Sequence, residues 1–186
     1  GFSAIPKITQ SLFSAGYTSI ASSRINHLKL YFDLEEIEKW LIRIPMISEV
    51  KDVVKYSDVS LNSEKVVLEH LNDASKEAAL IHKVVLMYDV GDLREGLINL
   101  DQLVSLAQYV EENLKNLKLY GIATNLTCYG TVVPTVKNAN MLVKAALEVE
   151  QTINRNLDII SGGSTTSLPL LYNNIIPEKT NLSGII

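Results

Sequence analysis

Residues 88–96 read YDVGDLREG and directly follow the apolar run VVLM. Asp89, Asp92 and Arg94, arranged around Gly91, put two acids and a base where a strand leaves the core. Such a set of charges at a strand end suits a charged ligand. A guanidinium offers a planar fork of donors suited to a carboxylate or a phosphate. A second tract, SGGSTTS from Ser161 to Ser167, follows the apolar LDII and leads into LPLL. Glycines let the backbone approach an anion, and amides and hydroxyls at a helix start donate to it, so Gly163, Ser164 and Thr165 form a candidate phosphate cradle. Gly and Ser are also linker residues, but this tract abuts an apolar run and does not bridge two domains. A third polar segment, TNLT at 124–127, follows KLYGIA.

Other chemistries find less support. The chain has no GxxxxGK[ST] phosphate loop and no GxSxG nucleophile elbow. His27, His70 and His82 lack an HxxxH or CxxC partner and read as structural, which gives no metal site. Cys128, the single cysteine, reads as a structural thiol; it excludes an intramolecular disulfide framework and suits a reducing compartment. The acidic pairs Glu35–Glu36 and Glu111–Glu112 read as solvated helix faces.

The elements that must position these residues follow from the hydrophobic pattern. Apolar residues make up 47% of the 186 and charged residues 20%, as in an ordinary globular protein with one sizeable core. A net charge of −4 supplies no basic surface for a phosphate backbone, so nucleic acid is not expected as a partner. No apolar stretch approaches the length of a membrane helix and no signal peptide opens the chain, so the expected location is cytoplasmic. Short Val, Ile and Leu runs predict strands near 18–22, 41–45, 57–61, 83–89, 118–125, 157–161 and, weakly, 180–186. Apolar residues spaced by three and four predict amphipathic helices over 64–81, 100–117 and 135–156. Strands apolar throughout suit a parallel sheet covered on both faces, so the fold class is α/β, as a (β/α)8 barrel or a doubly wound sheet.

In both architectures ligands bind at the C-terminal strand ends. Those ends carry Ser22, Ser23 and Arg24; Arg43; Asn62 and Ser63; Asp89, Asp92 and Arg94; Thr124, Asn125 and Thr127; and Ser161–Ser167. Any one of them can be a cap or loop residue, and Ser63, Thr135 and Thr165 are good helix N-caps. As a set they mark one polar rim.

In order along the chain, SIASSRINHL, KVVLMYDVGDLREG, YGIATNLTCYG and IISGGSTTSLPLL resemble the barrel domain of the pyridoxal-phosphate-dependent alanine racemase superfamily (fold type III), most closely its ornithine racemase branch. The resemblance implies a TIM-type barrel over residues 1–186 and a pyridoxal 5'-phosphate cofactor. It implies racemisation of a small-molecule amino-acid substrate, ornithine or another basic amino acid, by α-proton exchange on a cofactor–substrate imine. By the same resemblance Arg94 lies beside the cofactor and helps position the catalytic lysine or the substrate carboxylate, with Asp89 and Gly91 shaping its turn. Asn125 stands where alanine racemases have a ring-stacking histidine. Gly163, Ser164 and Thr165 fall on the phosphate cup, and Gly184 and Ile185 on the cofactor side of the last strand.

This sequence departs from the family pattern at both ends. The cofactor lysine of the family, on the first barrel strand, is expected just before Gly1, so the first strand would be the missing one; Lys7 belongs to the following helix. The arginine expected near the last strand is replaced by Leu182 or Ser183, and a C-terminal β-domain is expected beyond Ile186. The full-length form is expected to be a homodimer and this chain alone inactive. Two other readings share the barrel: a non-catalytic pyridoxal phosphate binding or homeostasis protein, and a metal-assisted aldolase or dehydratase.

Overall fold

The computed structural model describes residues 2–127, 132–163 and 165–175. Six strands alternate with helices: β1 Ser19–Ser22, β2 Glu38–Leu41, β3 Val59–Asn62, β4 His82–Met87, β5 Leu117–Ala123 and β6 Ile159–Ser161. The α-helices are α1 Pro6–Ser14, α2 Ile25–Leu28, α3 Val50–Tyr56, α4 Lys65–Glu77, α5 Leu100–Asn113, α6 Val136–Ile153 and α7 Leu168–Tyr172. All strand pairings are parallel and the sheet order is the chain order, β1-β2-β3-β4-β5-β6. The fold is therefore α/β with a curled, singly wound parallel sheet, in which β1 and β6 each pair with one described neighbour.

The two faces of the sheet differ in what covers them. Leu41, Val84, Leu86, Leu119 and Ile122 point outward and pack against buried helix residues such as Leu68, Leu71, Leu103, Ala107, Leu142 and Val149. Those helix positions recur at three and four residues, the spacing that turns one stripe toward the sheet. Trp40, Val59, Leu61, Val85, Met87 and Ala123 form a separate cluster on the concave face. Below it, at the N-terminal ends of the strands, Lys83 Nζ donates to Glu38 Oε1 at 2.6 Å and Trp40 Nε1 to Glu38 Oε2 at 2.7 Å. Asn99 caps α5 by accepting from Gln102 N, and Thr135 caps α6 by accepting from Asn138 N.

Several boundaries differ from the sequence expectation. The second strand is Glu38–Leu41 rather than 41–45, because the charge of Glu38 is satisfied inside the sheet by Lys83 and Trp40. Beyond it, Arg43 donates to Ser23 O at 2.7 Å and to Glu49 Oε2 at 2.8 Å, which turns the chain outward. The N-cap of α4 is Glu64, not Ser63, and it makes no side-chain cap. Thr165 opens a single 3-10 turn ahead of α7. The short α3 had no sequence signal of its own, since only Val50, Val53 and Val54 are buried on it. The strand expected at 180–186 lies outside the described residues.

Two buried features fix the sheet locally. Val84 pairs with Leu119 but Val85 with Gly121, so Tyr120 is the extra residue of a β-bulge. A Cβ at Gly121 would lie 2.1 Å from Ile159 O, a distance no side chain can occupy. His82, 2% exposed, faces Ser60 Oγ from Nε2 at 2.9 Å, and Asn62 Nδ2 donates to the same hydroxyl at 3.0 Å. His27 Nδ1 lies 3.1 Å from Ser22 Oγ, and His70 Nδ1 donates to Val66 O at 2.8 Å. Among the described residues no cluster of His, Cys, Asp or Glu side chains is placed to hold a metal, and no helix is long and apolar enough to cross a membrane.

Candidate active site

The turn after β4 is built by Asp89. Its buried carboxylate accepts from Gly91 N at 2.7 Å through Oδ1 and from Arg94 N at 3.0 Å through Oδ2. Gly91, Leu93 and Gly96 all have positive φ, so the chain coils tightly around that acid. Gly96 closes the coil: its Cβ position lies 2.8 Å from Met87 O, a space that only glycine leaves free. Two backbone bonds, Leu97 N to Met87 O and Asp89 N to Leu97 O, each 2.9 Å, then tie the far end of the turn back to the strand. Arg94 is thereby presented at the C-terminal rim of the sheet.

The ends of β5 and β6 meet beside it. Gly163, at φ 96°, approaches Thr124 so closely that a Cβ would lie 2.8 Å from Thr124 O. Thr127 Oγ1 donates to Thr166 Oγ1 at 2.5 Å, and Ser167 Oγ donates to Gly162 O at 3.1 Å. The Ser- and Gly-rich tract is thus a compact turn tied to the neighbouring strand end.

Together these ends surround a cavity of about 350 Å³, within the range of small-ligand sites. Arg94, Thr124, Asn125, Ser161 and Gly163 give it a polar rim, over a wall that includes Trp40, Leu61 and Met87. The hydroxyl of Thr124 is buried and has no hydrogen-bond partner among the described residues. A buried hydroxyl of that kind is costly unless a ligand or water completes it. Glu95 joins the rim from behind: its Oε1 accepts from Asn125 Nδ2 at 3.0 Å and lies 3.7 Å from Arg94 Nε.

A larger hollow of about 660 Å³ opens at the other end of the strands, beside Glu38, Lys39, Asp58 and Lys83. Four of its charged residues are paired with one another, Lys83 with Glu38 and Lys39 with Asp58. Ligand sites in parallel α/β folds lie at the C-terminal ends, so the smaller, rim-lined cavity is the candidate site.

The structure brings Arg94, Asn125 and Gly163 to this one cavity from three strand ends. Thr165 is exposed next to it and is not part of its lining. Ser164, Gly184, Ile185 and Cys128 lie outside the described residues. Glu95, Trp40 and Met87 were not among the residues singled out in the sequence. For Trp40 a signal existed, a lone tryptophan within an apolar run; Glu95 had only its place next to Arg94.

Comparison with known proteins agrees with this architecture. The family model described as alanine racemase, N-terminal domain, matches residues 12–174. The chain is 42% identical over 176 residues to the ornithine racemase of Acetoanaerobium sticklandii, covering 94% of this chain and 49% of that protein. It is 34% identical over 179 residues to the lysine racemase of Thermotoga maritima, covering 95% and 49%. The chain thus spans about half the length of these curated relatives. Among solved structures, PipY of Synechococcus elongatus PCC7942 with PLP bound superposes with a TM-score of 0.75 at 16% identity, over 91% of this chain and 82% of that one. The alanine racemase of Clostridium difficile 630 in complex with cycloserine gives 0.70 at 14%, over 87% and 45%. The chain belongs to the alanine racemase N-terminal domain family.

Proposed function

We propose that this chain is the barrel domain, over residues 1–186, of a pyridoxal-phosphate-dependent racemase acting on ornithine or another basic amino acid. The observation that carries the reading is the convergence of Arg94, Asn125 and Gly163 on one cavity at the C-terminal strand ends. The residues present fit the cofactor. Gly163 lines the cavity without a side chain to hold an anion away from the backbone, and the unpartnered Thr124 hydroxyl beside it has a hydrogen bond to give. Gly163, Ser164 and Thr165 are assigned to the phosphate, with Gly184 and Ile185 on the cofactor side of the site.

When bound, the cofactor acts as an electron sink that acidifies the substrate's α-proton. The chain's own residues do the rest. Arg94 holds the substrate carboxylate by charge-assisted hydrogen bonds. Asn125 fixes the polar side of the bound amino acid, and the Trp40, Leu61 and Met87 wall keeps water from it. Inversion takes the proton from one face and returns it to the other, so two bases are needed, and one of them is assigned to the family's cofactor lysine. Among the described residues β1 and β6 are the edge strands of the sheet, and strand edges of this kind are normally paired or covered in a folded protein.

The test is to load the intact protein with pyridoxal phosphate and follow the optical rotation of L-ornithine, L-lysine and L-alanine. Loss of rotation with ornithine or lysine is the expected result. Unchanged samples throughout would support the second reading, a non-catalytic pyridoxal phosphate binding protein, which shares its fold with PipY. Arg94→Ala is expected to lower kcat/KM at least about tenfold, the worth of one charge-assisted bond. Cofactor affinity, measured by absorbance titration, should stay within about twofold, because the phosphate cup is on other strand ends.

A further inference from the structure

The geometry points to Glu95 as a positioning residue of this site, acting through Asn125 and Arg94 to prepare it for a zwitterionic amino acid. The inference rests on the placement of Asn125 and Arg94 at the substrate proposed above. The Glu95 side chain is only 16% exposed, and Asn125, thirty positions along the chain, donates to it from Nδ2. An ionised carboxylate accepts and cannot donate. The Asn125 amide can therefore turn only its NH2 toward Glu95, which leaves its carbonyl oxygen for a ligand. Arg94 is paired through Nε with the same Glu95 oxygen, leaving the terminal nitrogens of its fork for a ligand. One carboxylate thus sorts the rim into a cationic fork and a neutral acceptor. That pair matches the carboxylate and the amino group of an incoming α-amino acid, before its nitrogen enters the cofactor imine.

Glu95→Gln keeps size and hydrogen-bonding capacity but removes both the charge and the accept-only character. The Asn125 amide would then have two orientations of similar energy, one of which presents a donor to the substrate's amino group. Asn125→Asp breaks the same bond from the other side by setting two carboxylates against each other. Combining the two restores a donor–acceptor pair in reversed sense, with an acceptor oxygen again left for the ligand.

In the intact, cofactor-loaded enzyme each single variant is expected to lose about tenfold in kcat/KM for the racemised amino acid, roughly the worth of one such bond. Pyridoxal phosphate affinity should stay within about twofold, and the double variant should recover most of the loss by non-additivity. A Glu95→Gln enzyme at wild-type kcat/KM, or a double variant as impaired as the product of the two losses, would overturn the inference. A second readout needs no activity: in the cofactor-free protein the Asn125 side-chain amide signals in NMR should shift and lose exchange protection in Glu95→Gln. Unchanged signals refute the positioning role whatever the enzyme does. Shifted signals in a protein that racemises nothing keep the positioning role and remove the racemase reading.

Discussion

Gly121→Ala is expected to destabilise the domain by about 3 kcal/mol, the upper part of the usual range for overpacking. The added methyl group would sit 2.1 Å from Ile159 O and 2.4 Å from Ile159 Cγ2, and the nearer of these is backbone of the adjacent strand. A flexible side chain could swing away, but a carbonyl in a ladder cannot. Relief would require β6 to separate from β5 at the pairing of Gly121 with Ile159, next to the bulge at Tyr120. Glycine inside a strand often marks such a close approach of two backbones. Chemical denaturation of the wild type and the variant measures the difference directly. A loss below about 0.5 kcal/mol, the range of an ordinary surface change, would show that the two strands can part without cost.

The second large effect is a loss of stability in mild acid. Burial pushes the His82 imidazole down to about 4 from its usual 6.5, against the opposing pull of the Asp58 charge and the hydrogen bond at Ser57. The folded protein therefore favours the neutral ring, and the unfolded chain takes up the proton first. The stability contributed this way is complete above pH 6.5 and declines as pH falls toward about 4. At about 1.4 kcal/mol per unit, the loss across that window is about 3 kcal/mol. Denaturant midpoints at pH 7 and pH 4.5 should differ accordingly. His82→Gln, which cannot take up a proton, should flatten the dependence. A variant with the wild-type slope would place the acid sensitivity in groups other than His82; the carboxylates of Glu49 and Glu111, which Arg43 and Arg155 hold below their usual range, lose their contribution only at lower pH.

Why some features were legible in the sequence and others were not has physical causes. Strands β4 and β5 fall close to the expected 83–89 and 118–125 because VVLM in the first is an unbroken apolar run and LKLYGIA in the second is rich in Leu, Ile and Tyr. Helices α4, α5 and α6 each carry a full amphipathic stripe and were equally plain. β2 was displaced because Glu38 and Lys39 look like surface residues until their partners are known. Lys83 answers one, and Ile37 O and Asp58 the other. At the site, Arg94, Asn125 and Gly163 stood out as polar residues following apolar strands. The pairing of Glu95 with Asn125 did not, since a glutamate in a turn reads as solvated and only the arrangement of β4 beside β5 buries it. Nor could alternation tell that Trp40 and Met87 face inward while Leu41 and Leu86 face the helices, because both faces are apolar.

The strictly sequential strand order has a consequence for how the chain folds. Every strand pairs with the next one along the chain, so each pairing closes a loop no larger than one strand–helix unit. The span from Ser19 to Glu38 at one end is about half that from Gly121 to Ile159 at the other. A twofold change in loop length alters the closure entropy by only about 0.6 kcal/mol. Topology therefore gives no pair a decisive head start, and the order of assembly falls to hydrophobic burial. β4, whose Val84, Val85, Leu86 and Met87 are all buried between two neighbours, is the expected nucleus, and mutations in it should slow folding more than mutations in β1 or β6.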